Sequence, residues 1–318
     1  MNHHHTLLSI VVIGRNEGSN LIGCLLSCQR ALRAFARPAE LIYVDSCSTD
    51  GSLELALSLG ARVASLPPRE CGAARARNEG LRLANGRWVH FVDGDMELMT
   101  DWISYAYETA ERQRLDAIAG RIEERRKGAS VWSRAFGHDW NAAGAKVGPI
   151  GGAGLWRRSS LLAVGGFDVS LPVGEDPDLC HRMQARGYRL VALEFPMVRH
   201  SMGLTSPWSW WRRGVSVGTS AAHMVQKDGR NDLAWQRFGQ PALFLAALGI
   251  ALTTGPFAVL ALLLCAFAVV ARRALRDLRD GLPFFDALLH ALHVYLIKIP
   301  QLLGGLVFLR NEMRKATA

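Results

Sequence analysis

The sequence predicts an α/β protein with a Rossmann-like open, mostly parallel β-sheet, followed by membrane-associated helices at the C-terminus. Three observations support this fold class. Short apolar runs alternate with segments of helical periodicity over the first hundred residues. Polar turns follow the apolar runs, as they do at the carboxyl ends of parallel strands. Near the C-terminus, residues 241–271 contain no charged side chain.

The first half of the chain alternates between predicted strands and helices. The strands are expected at residues 7–13, 40–45, 62–65 and 88–92, and the helices at residues 16–35, 52–59 and 72–85. Such alternation is typical of a sheet with helices on both faces. Ligands of these sheets bind in the crevice beyond the carboxyl ends of the strands. Residues 14–17, 45–50 and 93–97 are therefore predicted to form one site.

The net charge and the spacing of the cysteines limit the classes of function that fit this sequence. The net charge is +9, but the basic residues are scattered and no nucleic-acid-binding motif surrounds them. Several arginines flank the apolar C-terminus, which favours attraction to anionic lipids and predicts a membrane partner, not a nucleic acid. The six cysteines have no CxxC or zinc spacing, and we expect no signal peptide before the first strand. They are predicted to be reduced thiols of a cytosolic domain.

The tripeptide Asp93-Gly94-Asp95 directly follows a predicted buried strand. Its two carboxylates offer oxygen ligands for a divalent metal ion, which can neutralise a departing pyrophosphate. The central glycine is expected to let the backbone turn tightly. Asp and Gly are common in loops, so the prediction of a metal site depends on the strand end at which the tripeptide lies.

Other motifs occur in order along the chain with this tripeptide. They are IVVIGRNE at 10–17, VDSCSTDGS at 44–52, ARNEG at 76–80, FVDGD at 91–95, GGAG at 151–154, VGGFD at 164–168 and GEDPDL at 174–179. From about residue 7 to 203, this series resembles the inverting family 2 glycosyltransferases of GT-A fold. The resemblance implies transfer of a sugar from a UDP- or GDP-linked donor to a hydroxyl acceptor, with Mn²⁺ or Mg²⁺ as cofactor.

The resemblance also assigns donor-side roles. The residues that would contact the nucleotide or the rest of the donor are Gly14, Arg15, Asn16, Glu17, Asp45, Arg77, Asn78 and Asp93. For Arg77, a place on the surface of a basic helix is the alternative. Asp95 is expected to be the direct metal ligand, Asp93 to lie between the ribose and the metal, and His200 to complete the metal sphere. Imidazole suits manganese better than magnesium.

The acceptor side is expected at the second group of motifs. An inverting transfer needs a carboxylate that takes the proton of the acceptor hydroxyl. The resemblance assigns this role to Asp176, with Glu175 as the second candidate. Without the resemblance, capping of a helix dipole explains the pair better. Gly152 and Trp156 are expected at the substrate, where Trp156 would stack on an acceptor sugar; packing in the core is the alternative.

Two departures from the family pattern bear on specificity. Ser46 stands where many members have a second acidic residue, so the sequence does not specify the base or the sugar of the donor. The chain also lacks the Gln-x-x-Arg-Trp motif of processive synthases, and Trp208-Ser209-Trp210-Trp211 lies in roughly that region. We therefore expect transfer of a single sugar, as in the non-processive, membrane-associated, hexosyltransferase type.

Three segments are predicted along the chain: a catalytic domain at 1–205, an interfacial connector at 206–240 and a membrane-associated helical region at 241–318. Residues 241–271 are long enough to cross a bilayer, but Gly255-Pro256 interrupts them. A single crossing and a re-entrant hairpin both remain open. The catalytic domain is expected on the cytoplasmic side, with a lipid or lipid-linked glycan as acceptor.

Two other functions remain as alternatives. A different nucleotide-sugar enzyme or a dinucleotide-binding protein is the first, but the first strand is followed by Gly14-Arg15-Asn16-Glu17-Gly18 and not by G-x-G-x-x-G. The second is a non-catalytic, membrane-tethered protein that binds a sugar nucleotide or acts as a scaffold. The presence of both Asp95 and Asp176 favours an enzyme.

Overall fold

A computed structural model describes residues 6–125, 130–140, 150, 152–171, 173–201 and 203–316. The chain forms two compact units. Unit 1 comprises Met1–Lys127 and Asn141–Ser201, and unit 2 comprises Gly128–Trp140 and Met202–Ala318. The sequence predicts a separate connector at 206–240, whereas these residues pack within unit 2, together with the short segment 128–140.

Unit 1 is built on an eight-stranded sheet. Its strands are β1 (Leu8–Gly14), β2 (Ala39–Asp45), β3 (Arg62–Ser65), β4 (Trp88–Asp93), β5 (Glu97–Leu98), β6 (Ala117–Glu124), β7 (Gly154–Arg157) and β8 (Leu190–His200). The spatial order is β3-β2-β1-β4-β7-β6-β8-β5. The first four strands are parallel, and β7 is antiparallel to both of its neighbours. The predicted open sheet is confirmed, and its second half is mixed.

Strand β1 lies at the centre of the parallel half of the sheet. All seven of its residues are buried, as expected of a strand covered on both faces. The chain continues from β1 to β2 on one side and later returns to β4 on the other. Ligands of open α/β sheets bind at such a topological switch point. The adjacent ends of β1, β2 and β4 are therefore the expected location of the site.

The helices of unit 1 are α1 (Ser19–Phe35), α2 (Ser52–Ser58), α3 (Ala73–Leu83), α4 (Trp102–Gln113), α6 (Arg158–Ala163) and α7 (Glu175–Ala185), with α5 (Val131–Trp140) in unit 2. The first three lie close to the predicted helices at 16–35, 52–59 and 72–85, whereas the sequence predicts neither α4 nor α6. Helix α7 follows Gly174, whose φ of 90° is readily adopted only by glycine. Its first turn holds Glu175, Asp176 and Asp178, where acidic side chains interact favourably with the helix dipole.

Two of the six cysteines form a disulfide. Cys47, in the loop after β2, is bonded to Cys71, just before α3, with their Cα atoms 5.8 Å apart. The prediction of six reduced thiols is therefore wrong for this pair. Spacing in the sequence did not indicate it, because the fold brings together two loops that are 24 positions apart. Cys24, Cys28, Cys180 and Cys265 are free thiols.

Unit 2 is helical in its described residues. Its remaining helices are α8 (Pro207–Asp228), α9 (Asn231–Ala234), a π-helical turn (Trp235–Gly239), α10 (Gln240–Thr254), α11 (Pro256–Arg279), α12 (Phe284–Leu296) and α13 (Lys298–Ala316). Helices α8 and α13 approach closely at glycines. A Cβ on Gly218 would lie 2.0 Å from the carbonyl oxygen of Gln301, and one on Gly304 would lie 2.1 Å from that of Val215. Such small-residue contacts are common between membrane helices.

Helices α10 and α11 expose most of their apolar side chains. Gly255, with φ of 127°, separates them, at the predicted interruption. Two helical segments, Pro256–Arg279 and Phe284–Lys315, are long and apolar enough to cross a membrane by length and composition. The apolar stretch of the first is unburied, and 39% of that of the second is buried within the protein. Phe257 in α11 is 86% exposed.

Candidate active site

Side chains of the loops after β1 and β2 hold the two loops together. The Asn16 amide donates to Ser48 Oγ at 2.9 Å, and Asn16 Oδ1 accepts from the Thr49 amide at 2.8 Å. The Gly18 amide donates to Asp50 Oδ2 at 3.0 Å. Asn16 has a left-handed backbone with φ of 56°, which asparagine tolerates better than most residues. These two loops form one side of the predicted crevice.

The Asp93-Gly94-Asp95 turn lies beside them. Its central amide donates to the Ile13 carbonyl at 2.7 Å, so the turn is fixed against the end of β1. A Cβ on Gly94 would lie 2.8 Å from Cγ of Glu17, and the Gly94 backbone is not left-handed. A glycine is therefore needed here because a larger residue would come too close to Glu17. The sequence predicts a tight turn as the reason for the glycine, but the backbone does not adopt a conformation that only glycine tolerates. Burial, followed by the charges of Asp95 and Asp93, raises the pKa of Glu17.

Asp95, the last residue of this turn, lies beside His200. Asp95 Oδ2 lies 3.0 Å from His200 Nε2. Burial alone would raise the pKa of Asp95, but the hydrogen bond and charge of His200, with the charge of Arg125, lower it. Among the described residues, no group of three or more His, Cys, Asp or Glu side chains could hold a metal ion. These two ligand atoms still converge, so a metal here would take its remaining ligands from the donor and water.

Arg77 connects the Asp93-Gly94-Asp95 turn to the first turn of α7. Its Nη2 donates to Asp93 Oδ1 and its Nη1 to Glu175 Oε1, both at 2.7 Å. Nη1 also lies 3.6 Å from Asp176 Oδ1. The guanidinium is only 3% exposed. The surface alternative for Arg77 is therefore wrong, and carboxylates from two segments that are distant in the sequence, Asp93 and the pair Glu175-Asp176, surround one buried cation.

Asp176 differs from Glu175 in its surroundings. Its Oδ1 is buried and accepts no hydrogen bond from the described residues. Burial raises the pKa of Asp176 most strongly; Arg77 opposes this shift, whereas Glu175 and Asp93 reinforce it, and the result is a pKa of about 7. A carboxylate that is partly protonated near neutral pH and accepts no hydrogen bond is suited to take up a proton.

Three expected substrate residues have structural partners in the protein. Asn78 donates from Nδ2 to the Phe167 carbonyl and accepts at Oδ1 from the Phe167 amide, both at 2.8 Å. Asp45 is 3% exposed and accepts from Tyr43 Oη and the Ser48 amide. Trp156 is 1% exposed and its ring packs against Phe167. Stacking of Trp156 on a sugar is therefore excluded by burial, and the core alternative describes it.

The remaining expected residues lie around the crevice. Arg15 is exposed at its rim. Gly14 allows Glu17 to pack closely, because a Cβ there would lie 2.9 Å from Glu17 Cγ. A Cβ on Gly152 would lie 2.2 Å from Arg77 Nη2 and 3.2 Å from Asp93 Oδ2. Gly151, of the same motif, lies outside the described residues.

The sequence did not predict the position of Arg125. This residue follows β6, donates from Nη2 to Asn20 Oδ1 at 2.9 Å and lies 3.3 Å from Glu97 Oε1. Its charge acts on Asp95. An arginine near the end of a predicted strand can indicate a role in a site of this kind. The sequence pattern does not predict β6, so it gives no such indication for Arg125.

The segment that carries most of these residues is similar to a known protein family. Residues 9–162 match the family model described as Glycosyl transferase family 2. This segment contains the crevice loops, Arg77 and the Asp93-Gly94-Asp95 turn. Residues 9–162 therefore form a family 2 glycosyltransferase domain. The predicted resemblance is thereby confirmed.

Two curated relatives illustrate the range of similarity. This chain is 26% identical over 277 residues to the pre-mycofactocin glycosyltransferase of Mycobacterium tuberculosis (strain CDC 1551 / Oshkosh); the match covers 79% of this chain and 57% of the relative. It is 30% identical over 118 residues to glycosyltransferase GlyG of Streptococcus pneumoniae serotype 4, covering 36% of this chain and 38% of that protein. The chain thus spans little more than half the length of the first relative.

A solved structure shows the same fold. It is the mannosyltransferase PcManGT from Pyrobaculum calidifontis in complex with GDP-Man and Mn²⁺. The TM-score is 0.66 at 18% identity, and the similarity covers 94% of this chain and 86% of that one. The chain described here therefore has the expected GT-A fold.

Proposed function

We propose that this glycosyltransferase moves one hexosyl group from a nucleotide diphosphate sugar to a hydroxyl group of a lipid or lipid-linked glycan at a membrane, with inversion at the anomeric carbon. The observation that supports this most directly is the position of Arg77. It pairs with Asp93 of the donor-side turn and with Glu175, beside Asp176. Carboxylates for donor binding and for proton transfer therefore belong to one site.

The donor would bind across the ends of β1, β2 and β4. Asn16 and Arg15 would border the base and ribose, with Asp45 and Glu17 shaping the crevice behind them. Asp93 would lie between the ribose and the metal. The mannosyltransferase of similar fold was solved with GDP-Man and Mn²⁺, which supports a UDP- or GDP-linked sugar and a divalent metal here.

Asp95 and His200 would hold the metal ion. One carboxylate oxygen and one imidazole nitrogen suit Mn²⁺ better than Mg²⁺. When bound, the ion would neutralise the charge that develops on the departing nucleotide diphosphate.

Asp176 would act as the general base. Its carboxylate would accept the proton of the acceptor hydroxyl while the oxygen of that hydroxyl attacks the anomeric carbon. The sugar–phosphate bond would break on the opposite face, which produces inversion. The proton then resides on Asp176 and the electron pair of the broken bond leaves with the nucleotide diphosphate.

Unit 2 would associate with the membrane. Its apolar side chains, including Phe257 and Phe267, are exposed over the length of α11. Arg272, Arg276 and Arg279 follow them on the same helix, where anionic lipid headgroups would be attracted. If α10 and α11 enter the membrane as a re-entrant hairpin that does not cross it, these arginines and the catalytic unit lie on the same side, and the tendency of arginine to stay inside places both on the cytoplasmic side.

A donor panel with matched variants tests this function. The full chain in lipid vesicles would be incubated with Mn²⁺, UDP- or GDP-linked sugars and a membrane lipid extract, and labelled products would be analysed. Asp176→Asn should abolish transfer and leave donor affinity nearly unchanged. The matched control is Asp101→Asn, because Asp101 is exposed and makes no capping hydrogen bond. The proposal fails if no donor is bound or consumed, as expected of a scaffold protein, or if Asp176→Asn retains transfer.

A further inference from the structure

Glu175 and Asp176 are adjacent carboxylates that interact with Arg77 at different distances. Nη1 donates a hydrogen bond of 2.7 Å to Glu175 Oε1, while Asp176 Oδ1 lies at 3.6 Å. The first distance is that of a strong charge-assisted hydrogen bond. The second is too long for a hydrogen bond but short enough for electrostatic attraction. The hydrogen bond from Arg77 therefore fixes the position of Glu175. Asp176 is attracted by the positive charge of Arg77 but accepts no hydrogen bond from it, so its Oδ1 can accept a proton.

The surrounding residues fit a guanidinium and no other cation. Nη2 reaches Asp93 and Nη1 reaches Glu175, so both ends of the planar group are used. A lysine ammonium is a single point charge and cannot bridge two carboxylates in this way. Arg77 Cζ also lies 5.5 Å from the centre of the Phe167 ring, within the range of a cation–π contact. Gly152 leaves the space that Nη2 occupies, because a Cβ would lie 2.2 Å away.

We infer that Arg77 is a positioning residue for the proton-transfer step and that Glu175 is its anchor, so that Asp176 alone accepts the proton. This inference rests on the proposed function. Arg77 fixes the first turn of α7 relative to Asp93 and therefore fixes the base relative to the donor. Its terminal nitrogens are engaged with carboxylates, so its main contribution is to geometry and not to donor affinity.

The expected loss of transfer rate in the Arg77 variant follows from the precision with which catalytic groups must be positioned. A displacement of about 1 Å at a reacting group can cost about 100-fold in rate. Replacing Arg77 by lysine preserves the positive charge but loses the bridge. The turnover number, kcat, should therefore fall by about 100-fold, while the Kd for the donor should change by less than about threefold. Replacing the anchor by Glu175→Gln keeps a hydrogen-bond acceptor, and kcat should fall by only about tenfold.

The experiment compares four full-length variants with the wild type in vesicles: Arg77→Lys, Glu175→Gln, Asp176→Asn and the control Arg82→Gln. Arg82 lies on the same helix, is 68% exposed and pairs with Glu79, so its variant should behave as wild type. Donor Kd by calorimetry, kcat from single-turnover transfer and thermal unfolding would be measured for each. The positioning role predicts a large loss of kcat in Arg77→Lys with donor affinity retained.

Three results would overturn the inference. In the first, Arg77→Lys has a kcat within about threefold of wild type, so that charge alone suffices. In the second, its donor Kd rises as much as kcat falls, as for a donor ligand. In the third, Glu175→Gln abolishes transfer while Asp176→Asn retains it, so that Glu175 is the base. If Arg77→Lys does not fold, the comparison of Glu175→Gln with Asp176→Asn still decides. Failure of the wild type to use any donor would contradict the proposed function instead.

Discussion

Asp95 Oδ2 lies 3.0 Å from His200 Nε2, although the two residues are 105 positions apart in the sequence. Asp95 follows β4 and His200 ends β8, and the described structure joins these strands through the short β5, which pairs with β8. The sheet therefore brings one carboxylate and one imidazole to the edge of the donor crevice, where they can share a cation.

Substitution of His200 should weaken the use of manganese. His200→Gln replaces the imidazole nitrogen by an amide group and so removes the ligand that suits Mn²⁺ better than Mg²⁺. The Mn²⁺ concentration that gives half-maximal transfer should rise by about tenfold or more, and Asp95→Asn should have a larger effect. Titration of transfer with Mn²⁺ and Mg²⁺ after removal of metal by EDTA would measure this. Full activity in EDTA would rule out a metal at this site.

The rate of transfer should depend on pH through Asp176. Burial raises its pKa to about 7, and only the deprotonated carboxylate can accept a proton. Below about pH 7, kcat should therefore fall by about tenfold per pH unit, and above it kcat should reach a plateau. The profile of kcat at saturating donor between pH 5 and 9 would test the sign. A rate that rises as the pH falls would contradict Asp176 as the base.

The strand ends could be predicted from the sequence because they depend on local patterns. An apolar run followed by a polar turn identifies β1, β2 and β4, and parallel packing then brings their ends together. The second half of the sheet lacks such patterns. β6 and β8 combine buried residues with charged ones such as Arg121 and Glu194, so neither periodicity nor composition marked them as strands.

The identity of the site residues could be predicted better than their partners. The motifs supplied Arg77, Asp93 and Asp176, but a linear pattern does not show that the buried guanidinium bridges Asp93 to Glu175, the neighbour of Asp176. Likewise, the sequence allows Trp156 to stack on a sugar, whereas its burial in the structure does not. Exposure and hydrogen bonding depend on tertiary contacts between segments that are tens of residues apart, and no local rule contains them.

The Cys47–Cys71 disulfide should stabilise unit 1. It closes a loop with a sequence separation of 24, and such a crosslink is worth about 3 kcal/mol in the chain-entropy model. The double variant Cys47→Ser/Cys71→Ser should lose about this much free energy of unfolding, and a reductant should destabilise only the wild type. Denaturant unfolding would measure both, with the free, exposed Cys265→Ser as control. Equal stability of the wild type with and without reductant would exclude a stabilising disulfide.

Gly152→Ala should disturb the site without removing any functional group. The new Cβ would lie 2.2 Å from Arg77 Nη2, so the guanidinium must shift away from Asp93. We expect kcat to fall by about 10- to 100-fold, with a lowered midpoint of thermal unfolding. The control is Gly137→Ala, because a Cβ on Gly137 meets nothing within 4 Å. Unchanged kcat in Gly152→Ala would show that the position of Arg77 is not critical.

Membrane binding should depend on the exposed face of α11. Phe257 and Phe267 are 86% and 71% exposed, and an aspartate in the bilayer core costs about 2.5–3.5 kcal/mol. Phe257→Asp/Phe267→Asp should therefore strongly reduce flotation with vesicles that contain anionic lipid, while Leu57→Asp in unit 1, whose leucine is 62% exposed, should not. Because the substitutions lie in unit 2, donor hydrolysis in detergent should be unaffected. If the double variant floats like the wild type, α11 does not enter the bilayer, and its apolar face must be covered in another way.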